Sequence, residues 1–244
     1  CTDGTTLMID AGDHRTDPYN RKYAPMRCSP IYPDSTFTAA SAIANYIRQA
    51  QSGQHEGIDY FLITHFHSDH YGEANPVFPM SSKGNYILNG LTELAEYIPI
   101  HTIVDRGYPQ YAFPVDMRHR VNEDGSPKDP SFHNYLQFIQ YQMEKKGLKV
   151  EKFEVGSDRQ FVPLGAWEKT YPSFSVRNIK AGNIMWTGKG RKTKALFSKE
   201  DLMGNTNKFN ENPLSCAIVI RYGSFVYYAG VQTERLSQKT DAIE

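Results

Sequence analysis

The sequence has little cysteine and no excess of charge of either sign. Only three of its 244 residues are cysteines, without Cys-x-x-Cys spacing, so we expect neither a disulfide framework nor a zinc ribbon. Lysine and arginine total 27, as do aspartate and glutamate, so the net basic field that nucleic-acid binding usually needs is missing. No apolar run approaches the ~20 residues of a membrane-spanning helix. We therefore predict no membrane span and no strong nucleic-acid signature.

Several common catalytic signatures are also missing. The sequence contains no Gly-x-Ser-x-Gly elbow, no phosphate-binding Gly-x-x-x-x-Gly-Lys-Ser/Thr loop and no dinucleotide fingerprint that opens a helix. These absences argue against an elbow-type serine hydrolase, a P-loop nucleotidase and a dinucleotide-dependent enzyme.

The most informative segment is Thr-His-Phe-His-Ser-Asp-His at residues 64–70, which holds three of the eight histidines and one carboxylate. It follows a short run at residues 58–64 that is rich in aromatic and β-branched residues, which predicts a largely buried strand. The histidines therefore begin where a strand ends. A solvated polar loop is the alternative interpretation.

The spacing within this segment suits metal binding. His65 and His67, two apart in a segment expected to be extended, should point to the same side and hold one cation. After a turn, Asp69 and His70 can serve a second cation about 3.5–4 Å from the first, as in two-metal hydrolytic sites. Imidazole with carboxylate favours zinc, as one or two ions, with manganese or iron as alternatives.

His-x-His-x-Asp-His after a hydrophobic strand resembles the signature of the metallo-β-lactamase-fold hydrolases. Residues 3–13 resemble the early hairpin of that family, in which an aspartate at the end of a strand supports the metal loop. The resemblance implies an α/β (α+β) fold, a four-layer αββα sandwich, in which Asp10 orients a metal-bound histidine without binding metal itself. The alternative is that Asp10 caps a turn beside Gly12.

Residues 210–230 resemble one branch of this superfamily, which includes the hydrolase-like domain of bacterial competence (DNA-uptake) proteins. The segment contains an Asn-x-x-Ser turn and two apolar runs joined at Tyr222-Gly223, which by themselves predict a β-hairpin. In the superfamily the second strand normally ends in Gly-Asp, whose carboxylate bridges two metals, whereas here Gly230 precedes Val231. The histidine that the family has on a strand between the signature and this hairpin is also missing.

We expect a single metallo-β-lactamase-like domain over residues 1–244, truncated at both ends, because the resemblance begins at a hairpin turn and covers only part of a complete domain. Residues 114–150 are expected to be an insertion, a polar loop followed by a helix, that shapes substrate access or an oligomer contact. Helical periodicity predicts a helix over 36–51, capped by Asp34 or Ser35. A second helix is predicted over 131–146 and ends at a glycine.

Other polar residues are weaker candidates. Asp105 and Arg106 follow a brief predicted strand, where they line the pocket or form a structural ion pair. His101 is interpreted as a packed core residue rather than a ligand, and His14 either reaches the cleft or lies on the surface. Solvent exposure is expected for the histidines in or beside polar segments, which are His55, His119 and His133.

Together these residues predict a metal-dependent hydrolase in which Asp69, besides binding metal, orients or deprotonates the attacking water. The paired site and the competence-type likeness favour a phosphodiester over a lactam, lactone or thioester substrate. The alternative is a family relative that binds no metal and serves as a binding or assembly module, because two ligands per cation without a bridge bind weakly. Oligomeric state and compartment are left open.

Overall fold

The computed structural model describes residues 3–13, 37–51, 56–165, 167–203 and 210–230. Within these ranges the chain forms a four-stranded parallel sheet of order β1-β2-β3-β4 and a five-stranded antiparallel sheet of order β7-β6-β5-β8-β9. The strands are β1 (Leu7–Ile9), β2 (Ile58–Leu62), β3 (Ile100–Asp105), β4 (Lys149–Lys152), β5 (Phe174–Ala181), β6 (Ile184–Trp186), β7 (Thr193–Ala195), β8 (Ala217–Tyr222) and β9 (Phe225–Gly230). The helices are α1 (Ala39–Ala50), α2 (Ser68–Tyr71), α3 (Leu91–Tyr97), α4 (Pro130–Lys146), α5 (Trp167–Thr170) and α6 (Lys199–Met203).

Strand β2 is buried on both faces, as its nearly continuous apolar sequence predicts. Because side chains alternate along a strand, Phe61 packs in one core cluster and Leu62 in another. The cluster around Phe61 contains residues of α1, α3 and α4, so these helices cover one face of the parallel sheet. The cluster around Leu62 contains Phe174 and Ile218 of the antiparallel sheet, so the two sheets pack face to face. The mixed α/β architecture is thereby confirmed.

Helix α1 differs from the prediction at its start. It begins at Ala39 with Thr38 as N-cap, so the predicted cap at Asp34 or Ser35 is wrong, and both of those residues lie outside the described ranges. The reason is a reciprocal capping box, in which Thr38 Oγ1 accepts from Ser41 N (3.1 Å) and Ser41 Oγ accepts from Thr38 N (2.9 Å). A serine takes the place of the usual Glu or Gln, which hides the signal in the sequence.

Helix α4 and the β8–β9 hairpin confirm their predictions. Asp129 caps α4 by accepting from Phe132 N (2.9 Å), and Gly147 ends the helix with the left-handed backbone that glycine favours. Strands β8 and β9 pair up to Tyr222 and Phe225 on either side of the tight turn. None of the helices within the described ranges is long and apolar enough to cross a membrane.

Candidate metal centre

The histidine-rich segment lies at the carboxyl end of the parallel sheet, between β2 and α2. The Ile63 amide donates to Val104 O (3.0 Å) and extends the pairing with β3 by one residue. On the other side, the Asp10 amide donates to Leu62 O (3.0 Å), which fixes the loop after β1 beside the loop after β2. The candidate side chains are thus presented from the ends of adjacent parallel strands.

His65 and His67 form the first of two adjoining donor pairs. The His65 side chain is fully buried, and its Nε2 lies 3.0 Å from Nδ1 of His67. Two nitrogens bound to one tetrahedral zinc at about 2.0–2.1 Å lie about 3.3 Å apart. The observed separation is close to that value, so the pair fits two sites on one cation.

Asp69 and His70 form the second pair, with His70 Nε2 3.6 Å from Asp69 Oδ2. The opposite ring nitrogen of His70, Nδ1, lies 2.7 Å from Asp10 Oδ2. Asp10 also accepts from Thr64 N (2.8 Å) and Thr64 Oγ1 (2.7 Å). A carboxylate on one imidazole nitrogen fixes the ring and leaves the other nitrogen to face a cation, which is the arrangement expected beside a metal.

The loop that carries Asp10 is shaped to reach this position. Asp10 has a φ of 57°, a left-handed conformation that aspartate tolerates better than most residues. Two residues later, a Cβ on Gly12 would lie only 1.6 Å from Asp69 O, so only glycine permits this approach to α2. The Ala11 amide then donates to His70 O (2.8 Å). The Asp10 loop and α2 are therefore locked together by backbone contacts.

The two pairs are in contact, because the ring centres of His65 and His70 are 4.0 Å apart. In the part of the chain that the structure describes, however, no group of three or more His, Cys, Asp or Glu side chains is arranged to hold one metal ion. The four predicted ligands thus come together as two pairs of donors. Each cation would need further ligands beyond its pair.

The two pairs differ in electrostatics. Burial lowers the pKa of His65 to about 3, and the nearby charges of His70 and His67 act in the same direction. Burial would also lower the pKa of His70, but its hydrogen bond to Asp10 and the charges of Asp10 and Asp69 outweigh burial and raise it. His65 is therefore neutral at pH 7, the form that binds metals.

Residues 211–216 make a set of contacts with the histidine loop that the sequence did not predict. Phe66 N donates to Glu211 Oε2 (3.3 Å), and the Asn212 side chain hydrogen bonds to His65. The Cys216 amide donates to Thr64 O (2.8 Å). The Asn-x-x-Ser turn before the hairpin was the available signal, but its contact with the histidine loop follows only from the packing of the two sheets.

Arg106 and Asp105 have separate partners, so the alternative of an ion pair between them is wrong. Arg106 Nε donates to Glu211 Oε2 (2.9 Å), and its Nη2 also pairs with Glu211 Oε1. Asp105 is fully buried and accepts from the hydroxyls of Tyr111 and Tyr135, each at 2.8 Å. Asp105 therefore holds the tyrosines under the sheet edge rather than lining a pocket.

The remaining histidines lie away from the two pairs or outside the described ranges, as His14 and His55 do. His101 is exposed, so its interpretation as a packed residue is wrong; it lies at the open start of β3, with Nε2 3.4 Å from Glu56 O. His119 is exposed as predicted, and its Nδ1 lies 2.8 Å from Asp116. His133, on α4, is partly buried rather than exposed.

Comparison with known proteins agrees with the location of this site. A family model described as the metallo-beta-lactamase superfamily matches residues 1–79, which contain β1, β2, the histidine-rich segment and α2. No curated protein matches the chain. The chain is therefore similar to that superfamily over the part that carries both donor pairs.

Proposed function

We propose that the chain is a metal-dependent hydrolase of the metallo-β-lactamase superfamily. The observation that carries the proposal is the geometry of the two donor pairs, with separations of 3.0 Å and 3.6 Å, and the clamping of His70 by Asp10. The family match over residues 1–79 supports a hydrolase fold in general. We further propose the four-layer αββα arrangement, with one domain over residues 1–244 and an insertion at 114–150.

In this proposal each pair holds one cation, zinc in the first instance, with manganese or iron as alternatives. His65 and His67 hold the first cation, and Asp69 with His70 holds the second. Bound divalent cations lower the pKa of a water to about 7 and polarise the bond under attack. Asp69 is the proposed catalytic residue, because its half-exposed carboxylate can accept a proton from the attacking water or orient it.

We propose a phosphodiester as the substrate class. Support comes from the paired nitrogen and oxygen donors, which suit hydrolysis of a charged ester, and from the likeness of residues 210–230 to the competence-protein branch. The balanced charge of the chain favours a small phosphodiester over a long nucleic acid.

The test combines metal analysis with turnover. Wild-type protein, His67→Ala and the control His119→Ala are incubated with zinc, freed of unbound metal and assayed for zinc and for hydrolysis of bis(4-nitrophenyl) phosphate. We expect His67→Ala to lose both zinc and turnover, whereas His119→Ala keeps both because His119 is exposed and pairs with Asp116. Wild-type protein that retains no zinc, and no manganese or iron in parallel incubations with those ions, contradicts the proposal, as does equal turnover in His67→Ala.

A second candidate function is a metal-free binding or assembly module with the same fold. This candidate is favoured because, within the described residues, the potential ligands come together only in pairs, and two ligands bind a cation weakly. The same experiment separates the candidates. A folded wild-type protein that retains none of the three metals and hydrolyses nothing supports the module.

A further inference from the structure

Besides Asp10, a buried carboxylate contacts the histidine loop. Glu211 is 5% exposed, and its Oε2 accepts from two donors, Phe66 N at 3.3 Å and Arg106 Nε at 2.9 Å. Phe66 stands between His65 and His67, the two histidines of the first donor pair. Glu211 therefore bonds to the backbone that sets how these two side chains face each other.

Arg106 fixes Glu211 in turn. Its guanidinium pairs with both oxygens of Glu211, donates to Phe113 O (2.8 Å) and lies 5.1 Å from the ring centre of Phe66. An arginine fork that holds both oxygens of a carboxylate restricts its orientation more than a single contact does. Glu211 therefore holds the Phe66 amide, and Arg106 lies against the Phe66 ring.

We propose that Glu211, held by Arg106, is a positioning residue for the His65–His67 donor pair. The proposal rests on the proposed metal site but adds residues that neither the histidine signature nor the family match over residues 1–79 includes. Asp10 anchors the second pair from the β1 side, and Glu211 anchors the first pair from the turn before β8. Replacing such supporting residues typically weakens metal binding by about 10–100-fold.

Charge alone predicts a different result, which makes Arg106→Met the decisive variant. Removing a cation near the site strengthens binding of a divalent ion if Arg106 and Glu211 act only through their charges. If Arg106 instead holds Glu211 in place, the same change frees the carboxylate and weakens binding. The sign of the change in affinity therefore separates positioning from simple electrostatics.

The double variant Arg106→Met/Glu211→Leu removes the anchor without leaving an unpaired buried charge, so it protects the test against misfolding. Asp158→Asn is the control, because Asp158 and Arg177 form a more exposed ion pair (2.6 Å) that touches neither histidine. Two quantities are measured on the full chain. They are the dissociation constant for cobalt(II), followed by its visible absorption, and hydrogen exchange of the Phe66 amide in metal-free protein, relative to the Ile63 amide.

We expect both Arg106 variants to bind cobalt(II) about 10–100-fold more weakly. In the double variant, which should keep most of the stability, exchange of the Phe66 amide should accelerate about 10-fold or more relative to exchange of the Ile63 amide, which donates to Val104 O. Asp158→Asn should match wild type in both measurements. Tighter cobalt binding by Arg106→Met, or unchanged Phe66 exchange in the double variant, overturns the proposal.

Failure of the metal site itself gives a different pattern. In that case wild type and His67→Ala bind cobalt(II) equally poorly, whereas the exchange of Phe66 still reports whether Glu211 anchors the loop. Accelerated exchange then supports positioning of the loop without a metal, and unchanged exchange rejects it.

Discussion

The two donor pairs differ most in burial. His65 is fully buried and lies against His67, which is partly buried, whereas the side chains of His70 and Asp69 are 19% and 49% exposed. A buried donor is held by its surroundings before any ligand arrives, while an exposed donor is free to change rotamer. In the proposed site the first pair is thus anchored by the buried His65, and the second combines one donor fixed by Asp10 with one exposed donor.

This difference fits the roles proposed for the two pairs. A fixed nitrogen pair defines where a cation sits, and an exposed carboxylate can meet both a cation and water. The supports follow the same division, since Arg106 and Glu211 are buried beside the first pair and Asp10 reaches only the His70 half of the second. Substitutions on the buried side should therefore alter folding, and those on the exposed side should leave it intact.

The largest effect is expected when the buried ion pair is broken. Arg106→Met leaves Glu211 as an unpaired buried charge and should lower the free energy of unfolding by about 3–5 kcal/mol. Urea unfolding followed by circular dichroism measures this. The double variant Arg106→Met/Glu211→Leu should recover most of the loss, and a loss below about 1 kcal/mol for Arg106→Met would contradict the buried pairing.

The pH dependence of stability at Lys180 tests the same buried side of the site. Its Nζ donates to Pro213 O (2.5 Å) and Ser215 O (3.1 Å) in the turn that follows Glu211, and burial lowers its pKa to about 8. Because this pKa lies below the unfolded value of about 10.5, the cost of charging buried Lys180 is full below pH 8 and fades as pH rises toward 10.5. Between pH 7 and pH 10, the free energy of unfolding of wild type should therefore rise by about 2.5 kcal/mol relative to that of Lys180→Met.

The measurement is urea unfolding of both proteins at several pH values. Only the difference between them matters, since tyrosine ionisation near pH 10 affects both alike. If the difference in free energy of unfolding between the two proteins stays constant with pH, folding does not lower the pKa of Lys180.

Asp10→Asn should have an intermediate effect, seen in metal binding. The amide keeps the size of Asp10 but loses the charge that holds His70, so zinc affinity should fall about 10–100-fold, or about 1.4–2.7 kcal/mol. Competition with a chromophoric chelator measures it. Asp59→Asn is the matched control, because Asp59 accepts from Thr6 N (2.8 Å) and supports β1 away from the histidines. Equal losses in the two variants would remove the special role of Asp10.

Local patterns in the sequence predicted the parts of the site that lie close together along the chain. The apolar run of β2 and the His-x-His-x-Asp-His spacing indicated a donor cluster at a strand end, and the structure brings those side chains together in pairs. The hairpin after Cys216 and the helix ending at Gly147 were equally clear, because each is encoded by neighbouring residues. The contact of Asp10 with His70 came from the family likeness alone.

The other support of the site could not be predicted because its partners are far apart in sequence. Glu211 and Phe66 are 145 residues apart. The position of Arg106 at the end of a predicted strand marked it as a candidate, but nothing in the sequence indicates that its partner is Glu211. Only the face-to-face packing of the two sheets brings the turn before β8 against the loop after β2. Thr38 shows the same limit on a smaller scale, because Thr-x-x-Ser forms a capping box that the usual pattern does not include.

The smallest effect is expected at Asp69, the exposed member of the second donor pair. Asp69→Asn should change the free energy of unfolding by less than about 0.5 kcal/mol, because the side chain is 49% exposed and its ion-pair contact with His70 spans 3.6 Å. Urea unfolding of metal-free Asp69→Asn and wild type at pH 7 measures the change, so that loss of a bound cation does not contribute. A destabilisation approaching that of Arg106→Met would show that Asp69 holds α2 in place, and the contrast between a fixed pair and an adaptable pair would no longer stand.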